Sequence, residues 1–327
     1  MESGESTQSF EILKPKKGSS ETSPVVGKTE AELKELENVI IEAEQKRDAL
    51  KQAVEKGDKD AETMAIKELN ESLQKARVIK RKIEGVISPE PISAIYTFKD
   101  EKGKEKSETI EIDFEKQLES FESFYEKHKI GLPLDFSEKM VDIWERNREE
   151  IRKAIEENGF DTVILIPENL PNLTQINQKM SEGYTETWQS DNFKAGGSFE
   201  GVTDKESGAR IILAHSTQHM KEHSILKETL GNKAEDLAKK GETLTLTDYL
   251  ILQRKIFDET GNHIDTKHAD GYCYWTWLPG STVKNSSGVI RFVYANWNPD
   301  NGRLNVNAND PGDSLPYLGC RLSRCFT

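Results

Sequence analysis

Two prolines separated by one glutamate, Pro89-Glu90-Pro91, divide this chain into stretches of different periodicity, because each proline pushes the residue before it out of the helical region. Upstream, Leu33, Leu36, Ile40, Ala43, Leu50 and Val54 recur at helical spacing, with Glu and Lys on the other faces. Ala61, Met64, Ala65, Leu69, Leu73, Ala76, Ile79 and Ile83 form a second stripe. Between the stripes, Lys56-Gly57-Asp58 offers a terminating glycine and a capping aspartate. The spacing predicts an antiparallel helical hairpin, a coiled coil, over residues 28–85. Its stripes would bury each other as a spacer or self-association element, with docking of a partner helix as the alternative. Residues 1–27 carry too few apolar side chains to offset the entropy of ordering, so a disordered tail is expected there.

Downstream the pattern is that of an α+β chain. Ile92 to Phe98 and Thr109 to Ile112 read as a hairpin around a charged, Gly-containing turn. Phe114, Leu118, Phe121 and Tyr125 mark one helix; a second, capped by Ser137, runs through Met140, Trp144, Ile151 and Ile155 to Asn158-Gly159. Thr162 to Ile166 and Arg210 to Ala214 are short apolar runs expected to be buried strands. A helix capped by Thr247 or Asp248 should end at Gly261. Residues 86–245 are thus expected to be a mixed α/β region and 246–327 a domain of short strands. Within the latter, Val289 to Tyr294 reads as a strand, Asn298-Pro299-Asp300-Asn301-Gly302 and Asp310-Pro311-Gly312 as turns, and Leu318 to Phe326 as one final strand.

Charge excludes some partners. The net charge of -13 repels phosphate backbones, and with no segregated basic face, nucleic acid is not an expected ligand. No stretch approaches eighteen apolar residues and the first residues lack the pattern of a signal peptide, so no membrane insertion is expected and the location is cytoplasmic by default. Cys273, Cys320 and Cys325 lack paired CxxC spacing and read as reduced, partly buried thiols.

Nor do catalytic frames appear. His215, His219 and His223 stand at i, i+4 and i+8, but His215 follows a strand-like run and no HExxH glutamate lies between them; surface histidines, and no metal, are expected. There is no GxSxG elbow, and Gly196-Gly197 is not followed by the Lys-Ser or Lys-Thr of a phosphate loop. The oxygens of Asn305, Asn307, Asn309, Asp310 and Asp313 are of the class calcium takes, without EF-hand spacing. The expectation is a non-enzyme without cofactors, calcium being kept as the alternative to solvated loop polarity.

What stands out is Asn296, Asn298, Asn301, Asn305, Asn307 and Asn309, crowded into one segment and interleaved with Tyr294, Trp297 and, further on, Tyr317. Asn is a poor strand former, yet it presents a donor and an acceptor on a short stem, which with aromatic rings makes an adaptable recognition surface.

The residues Trp277-Leu278-Pro279-Gly280-Ser281, Arg303-Leu304, Asn309-Asp310-Pro311-Gly312 and Leu318-Gly319-Cys320-Arg321-Leu322-Ser323-Arg324-Cys325-Phe326 resemble the variable proteins of diversity-generating retroelements. That family is similar in fold to C-type lectins and formylglycine-generating enzymes. The resemblance implies a C-type-lectin-like domain over 246–327, and a surface rewritten through adenine-rich codons such as those of Asn. It implies a framework of Trp275, Trp277, Gly280, Gly319, Arg321 and Phe326, with Arg321 in the place of the family's buried Arg. Candidate variable contacts are Asn296, Asn298, Asp300, Asn301, Asn305, Asn307, Asp313, Ser314 and Tyr317. The ligand implied is a protein or a cell-surface target. The rivals are a structural or adhesin-type module and a formylglycine-generating-type oxidase. Against the latter, Cys320 and Cys325 on one strand would fall on opposite faces.

Overall fold

The computed structural model describes residues 30–58, scattered helical positions between 60 and 79, and 89–327 apart from 101, 134, 185–186, 190–198, 200, 206 and 286. The expected tail over 1–27 lies outside the described residues. The chain divides into two compact units between Ser88 and Pro89.

In the first unit, α1 (Glu30–Lys56) is a long helix ended by Gly57 in the left-handed region, φ 67°. Leu36, Ile40 and Ala43 of its apolar stripe are buried with Ala76 and Ile79. The remainder of the expected hairpin falls largely outside the described residues.

The second unit is α+β. It opens with the antiparallel pair β1 (Ile92–Lys99) and β2 (Glu105–Ile112). Three helices follow, α2 (Phe114–Lys127), α3 (Phe136–Arg146) and α4 (Arg148–Asn158). The single helix expected from Ser137 is therefore broken at Asn147, whose side-chain amide donates back to the Ile143 carbonyl. Ser137 is not a cap; it is buried inside α3 and donates to Glu122. Then come β3 (Thr162–Ile166), α5 (Leu173–Met180), β4 (Thr187–Gln189), β5 (Val202–Asp204) and β6 (Arg210–Ala214). The segment continues with α6 (Ser224–Thr229), α7 (Ala234–Lys240), β7 (Glu242–Thr243) and α8 (Leu246–Thr260). α8 is capped by Thr245, not by Thr247 or Asp248: Thr245 accepts from the Asp248 amide while the Asp248 carboxylate accepts from the Thr245 amide. Asp248 also pairs, buried, with Arg210 at 2.6 Å.

The last strands are β8 (Trp275–Lys284), β9 (Ile290–Asn298), β10 (Arg303–Asn309), β11 (Leu318–Cys320) and β12 (Leu322–Phe326). One sheet has the order β11-β8-β9-β10-β4, with β5 also paired to β8; a second has the order β3-β6-β12-β7. The expected final strand over 318–326 is thus two, and they belong to different sheets. Each sheet draws on strands from before and after residue 246, so the boundary expected there falls inside one continuous core.

The hinge between β11 and β12 is Arg321, 0% exposed, as is Asp265. Its guanidinium donates to both Asp265 oxygens at 2.8–3.2 Å, to the His215 carbonyl at 2.9 Å and to the Thr217 carbonyl at 2.7 Å. Asp265 also accepts from the Thr276 hydroxyl at 2.6 Å, and its carbonyl accepts from the Trp297 amide at 3.1 Å. One buried ion pair therefore ties the loop after β6, the loop after α8, and strands β8, β9 and β12. A buried charge is tolerated when it is paired and fully hydrogen bonded, which is the situation here.

Candidate ligand-binding face

Strand alternation sorts β9 and β10 into two faces. Val293, Ala295 and Trp297 join Leu304, Val306 and Ala308 in the main core. Trp297, read from sequence as part of a recognition surface, is turned inward and stacks on His263 with ring centroids 3.5 Å apart. Burial pushes the His263 imidazole down to about 4, and the Arg254 charge adds to this.

The opposite face carries Ile290, Phe292, Tyr294, Asn296 and Asn298 beside Arg303, Asn305, Asn307 and Asn309. Trp277 and Trp275 of β8 extend it, both edge-on to Tyr294. Ala234 and Leu237 of α7 cover Trp277 and Tyr294, forming a separate apolar cluster with Leu318 and Cys320. Trp275, Phe292, Leu315 and Tyr317 pack around this cluster while staying partly exposed. Ile290 is 50% exposed at the rim.

The nine candidate contacts fall into three sets. Asn296 and Asn305, 1% and 6% exposed, face each other across the β9–β10 ladder, and the Asn305 amide donates to Asn296 Oδ1 at 3.1 Å. Their burial removes them from the exposed contacts: one amide hydrogen bond joins the two side chains, and Asn305 Oδ1 is left without a partner among the described residues. Asn298, Asp300 and Asn301 form the turn between β9 and β10, where the Asp300 amide donates to Asn298 Oδ1 at 3.0 Å. Lys267 reaches this turn, its ammonium 3.0 Å from the Asp300 carboxylate. The third set surrounds Tyr294. Burial pushes its phenol up to about 12; Tyr317 and Asp313 push the same way, while a hydrogen bond with Asn307 and the Arg291 charge oppose them. Asn307 stands opposite Tyr294 in the β9–β10 ladder, and Tyr317 packs against the cluster that holds Tyr294. Ser314 lies apart, exposed and donating to the Gly231 carbonyl.

Of the framework residues, Trp277, Arg321 and Phe326 are buried and Trp275 is half-buried. Two glycines have steric reasons. A Cβ on Gly280 would lie 3.0 Å from the carbonyl oxygens of Thr243 and Leu244. A Cβ on Gly319 would run into Met220 Sδ and come within 2.7 Å of Thr229 Oγ1. Sequence reasoning left out Phe292 and Ile290 from the face, although counting back by twos from Asn296 reaches them. Lys267 carried no signal of its own; its backbone bridge to Cys273 brings it to the turn.

The histidines do not converge. His215 is buried, contrary to the surface position expected, and its ring lies 4.3 Å from that of His223, whereas His219 faces His268. Burial first, then the His223 and Arg321 charges, hold His215 well below the usual imidazole range. Among the described residues, no three His, Cys, Asp or Glu side chains gather as a metal site. The three cysteines are unpaired. Cys320 is buried beneath the face, and burial pushes its thiol far above the usual range. No helix among the described residues is long and apolar enough to cross a membrane. Comparisons with family models, curated proteins and solved structures return no match for this chain.

Proposed function

We propose that this protein binds a protein or cell-surface ligand through the outer face of β9 and β10 and the 310–317 connection, without catalysing a reaction. We further propose that the side chains there are varied by a diversity-generating retroelement on a C-type-lectin-like framework. The observation that carries the reading is the Tyr294 cluster. Asn307, Asp313 and Tyr317 are half-exposed, and Asn307 and Tyr317 adjoin a buried apolar cluster, which supports their exchange while the core is left unchanged. Rings in such a face act as anchors worth about 1–2 kcal/mol each, and amides set specificity.

DNA sequencing around the gene tests this. An imperfect repeat of the DNA encoding residues 290–326 is expected, differing from it only where the repeat has adenine. The differing codons should be those of Asn298, Asp300, Asn301, Asn307, Asp313, Ser314 and Tyr317. Absence of a repeat and of a neighbouring reverse transcriptase gene removes diversification and leaves an invariant binding module. Variation at Asn296 and Asn305 as frequent as at Asn298 overturns their removal from the contacts.

A further inference from the structure

The chain holds two Asn-Gly pairs, Asn158-Gly159 and Asn301-Gly302, and the structure treats them oppositely. We propose that Asn301 is a site of spontaneous, position-selective deamidation, with water as the co-reactant, whereas Asn158 is protected by its fold. In this chemistry the Gly302 backbone nitrogen loses its proton and attacks the side-chain carbonyl carbon of Asn301. A new C–N bond closes a cyclic imide, and the bond to the side-chain nitrogen breaks, releasing ammonia. Water then opens the ring at either carbonyl, leaving aspartate or isoaspartate; nothing is oxidised or reduced.

Exposure, an unrestrained side chain and an unshielded nucleophile come together at the β9–β10 turn. Asn301 is exposed, and its side-chain amide makes no hydrogen bond among the described residues. Gly302 brings no Cβ to shield the nucleophile, and with φ 60° it sits in the left-handed region of a tight turn. Among the described residues its nitrogen donates to no backbone carbonyl outside the strand ladders. At the other pair both reacting groups are held. The Asn158 amide donates to the Ala154 carbonyl at 3.1 Å, and the Gly159 nitrogen donates to the Ile155 carbonyl at 2.8 Å as the C-cap of α4. Gly159 is also packed against the Tyr96 ring. Reaction at Asn158 first requires the helix end to open.

The product changes the turn chemically. A carboxylate at 301 stands next to Asp300, whose cation is Lys267, and the isoaspartyl form lengthens the backbone by one methylene.

The test is slow incubation of the purified full chain at mildly alkaline pH, followed by peptide mapping and isoaspartyl methyltransferase labelling. The peptide holding Asn301 is expected to gain one mass unit and become a methyl acceptor, at least about tenfold faster than the peptide holding Asn158, since two hydrogen bonds restrain the latter. In urea the two rates should come together. Equal rates in the folded protein, faster reaction at Asn158, or an inert Asn301 in a chain whose unfolded form reacts would overturn the proposal.

Discussion

Replacing Arg321 by Met keeps the length and apolar stem of the side chain and removes its charge. Asp265 would then be a carboxylate with no exposure and no cation, and the carbonyls of His215 and Thr217 would each lose a donor. Breaking a buried pair from one side costs about 3–5 kcal/mol, mostly the penalty of the stranded charge. With a urea m-value of about 3 kcal/mol/M, the midpoint should fall by about 1–1.7 M. All five tryptophans lie after Pro91, so intrinsic fluorescence follows the second unit alone. The decisive comparison is the double variant R321M/D265N. Asn tolerates the positive φ of 51° at position 265, still accepts from Thr276 and carries no charge, so the double variant should be more stable than R321M alone. A single-variant loss below about 1 kcal/mol, the range of exposed pairs, would refute the reasoning. So would a double variant weaker than the single one.

Gly319→Ala should lower stability by about 1–3 kcal/mol through overpacking against Met220, Thr229 and Leu230, and an unchanged urea midpoint would contradict the packing described. Asn305→Ala leaves Asn296 without its amide partner and should cost about 1–3 kcal/mol, whereas Asn301→Ala in the exposed turn should stay within about 0.5 kcal/mol. Tyr317→Ala should weaken binding to a ligand while leaving the melting temperature unchanged; a lowered melting temperature with intact affinity would show a packing role instead. Acid should destabilise the fold through its histidines. His215, His223, His128 and His263 all sit below the ordinary value, chiefly through burial, so below pH of about 6.5 the unfolded chain takes up protons that the folded one refuses. Stability is full above that pH and should fall as pH drops towards the lowered folded-state values, His263 contributing down to about pH 4. His215→Phe should flatten the profile, and an unchanged slope in that variant would exclude His215 as a contributor.

Elements defined by local pattern were legible in the sequence. The apolar runs at β3 and β6, the stripes of α1 and α2, and the Asn-Gly turn after β9 follow from periodicity and turn chemistry alone. Thr245 could have been found as a cap from its spacing to Asp248. What was not legible depends on partners far along the chain. Asn296 and Asn307 are the same residue type on the same face, and only the arrangement of neighbouring elements buries one and leaves the other half-exposed. Likewise nothing local marks Arg321 as the point where one apparent strand becomes two. That break is enforced by Asp265 and by two carbonyls more than a hundred residues upstream.

Because β10 and β11 are both fastened into the sheet that holds β8 and β9, the stretch from 310 to 317 is a bridge with both abutments fixed. Lengthening such a bridge adds only the slowly growing entropy of closing a longer loop. Foreign peptides spliced in beside the exposed Ser314 would have their ends already anchored by β10 and β11, which makes this stretch a natural place to graft new sequence.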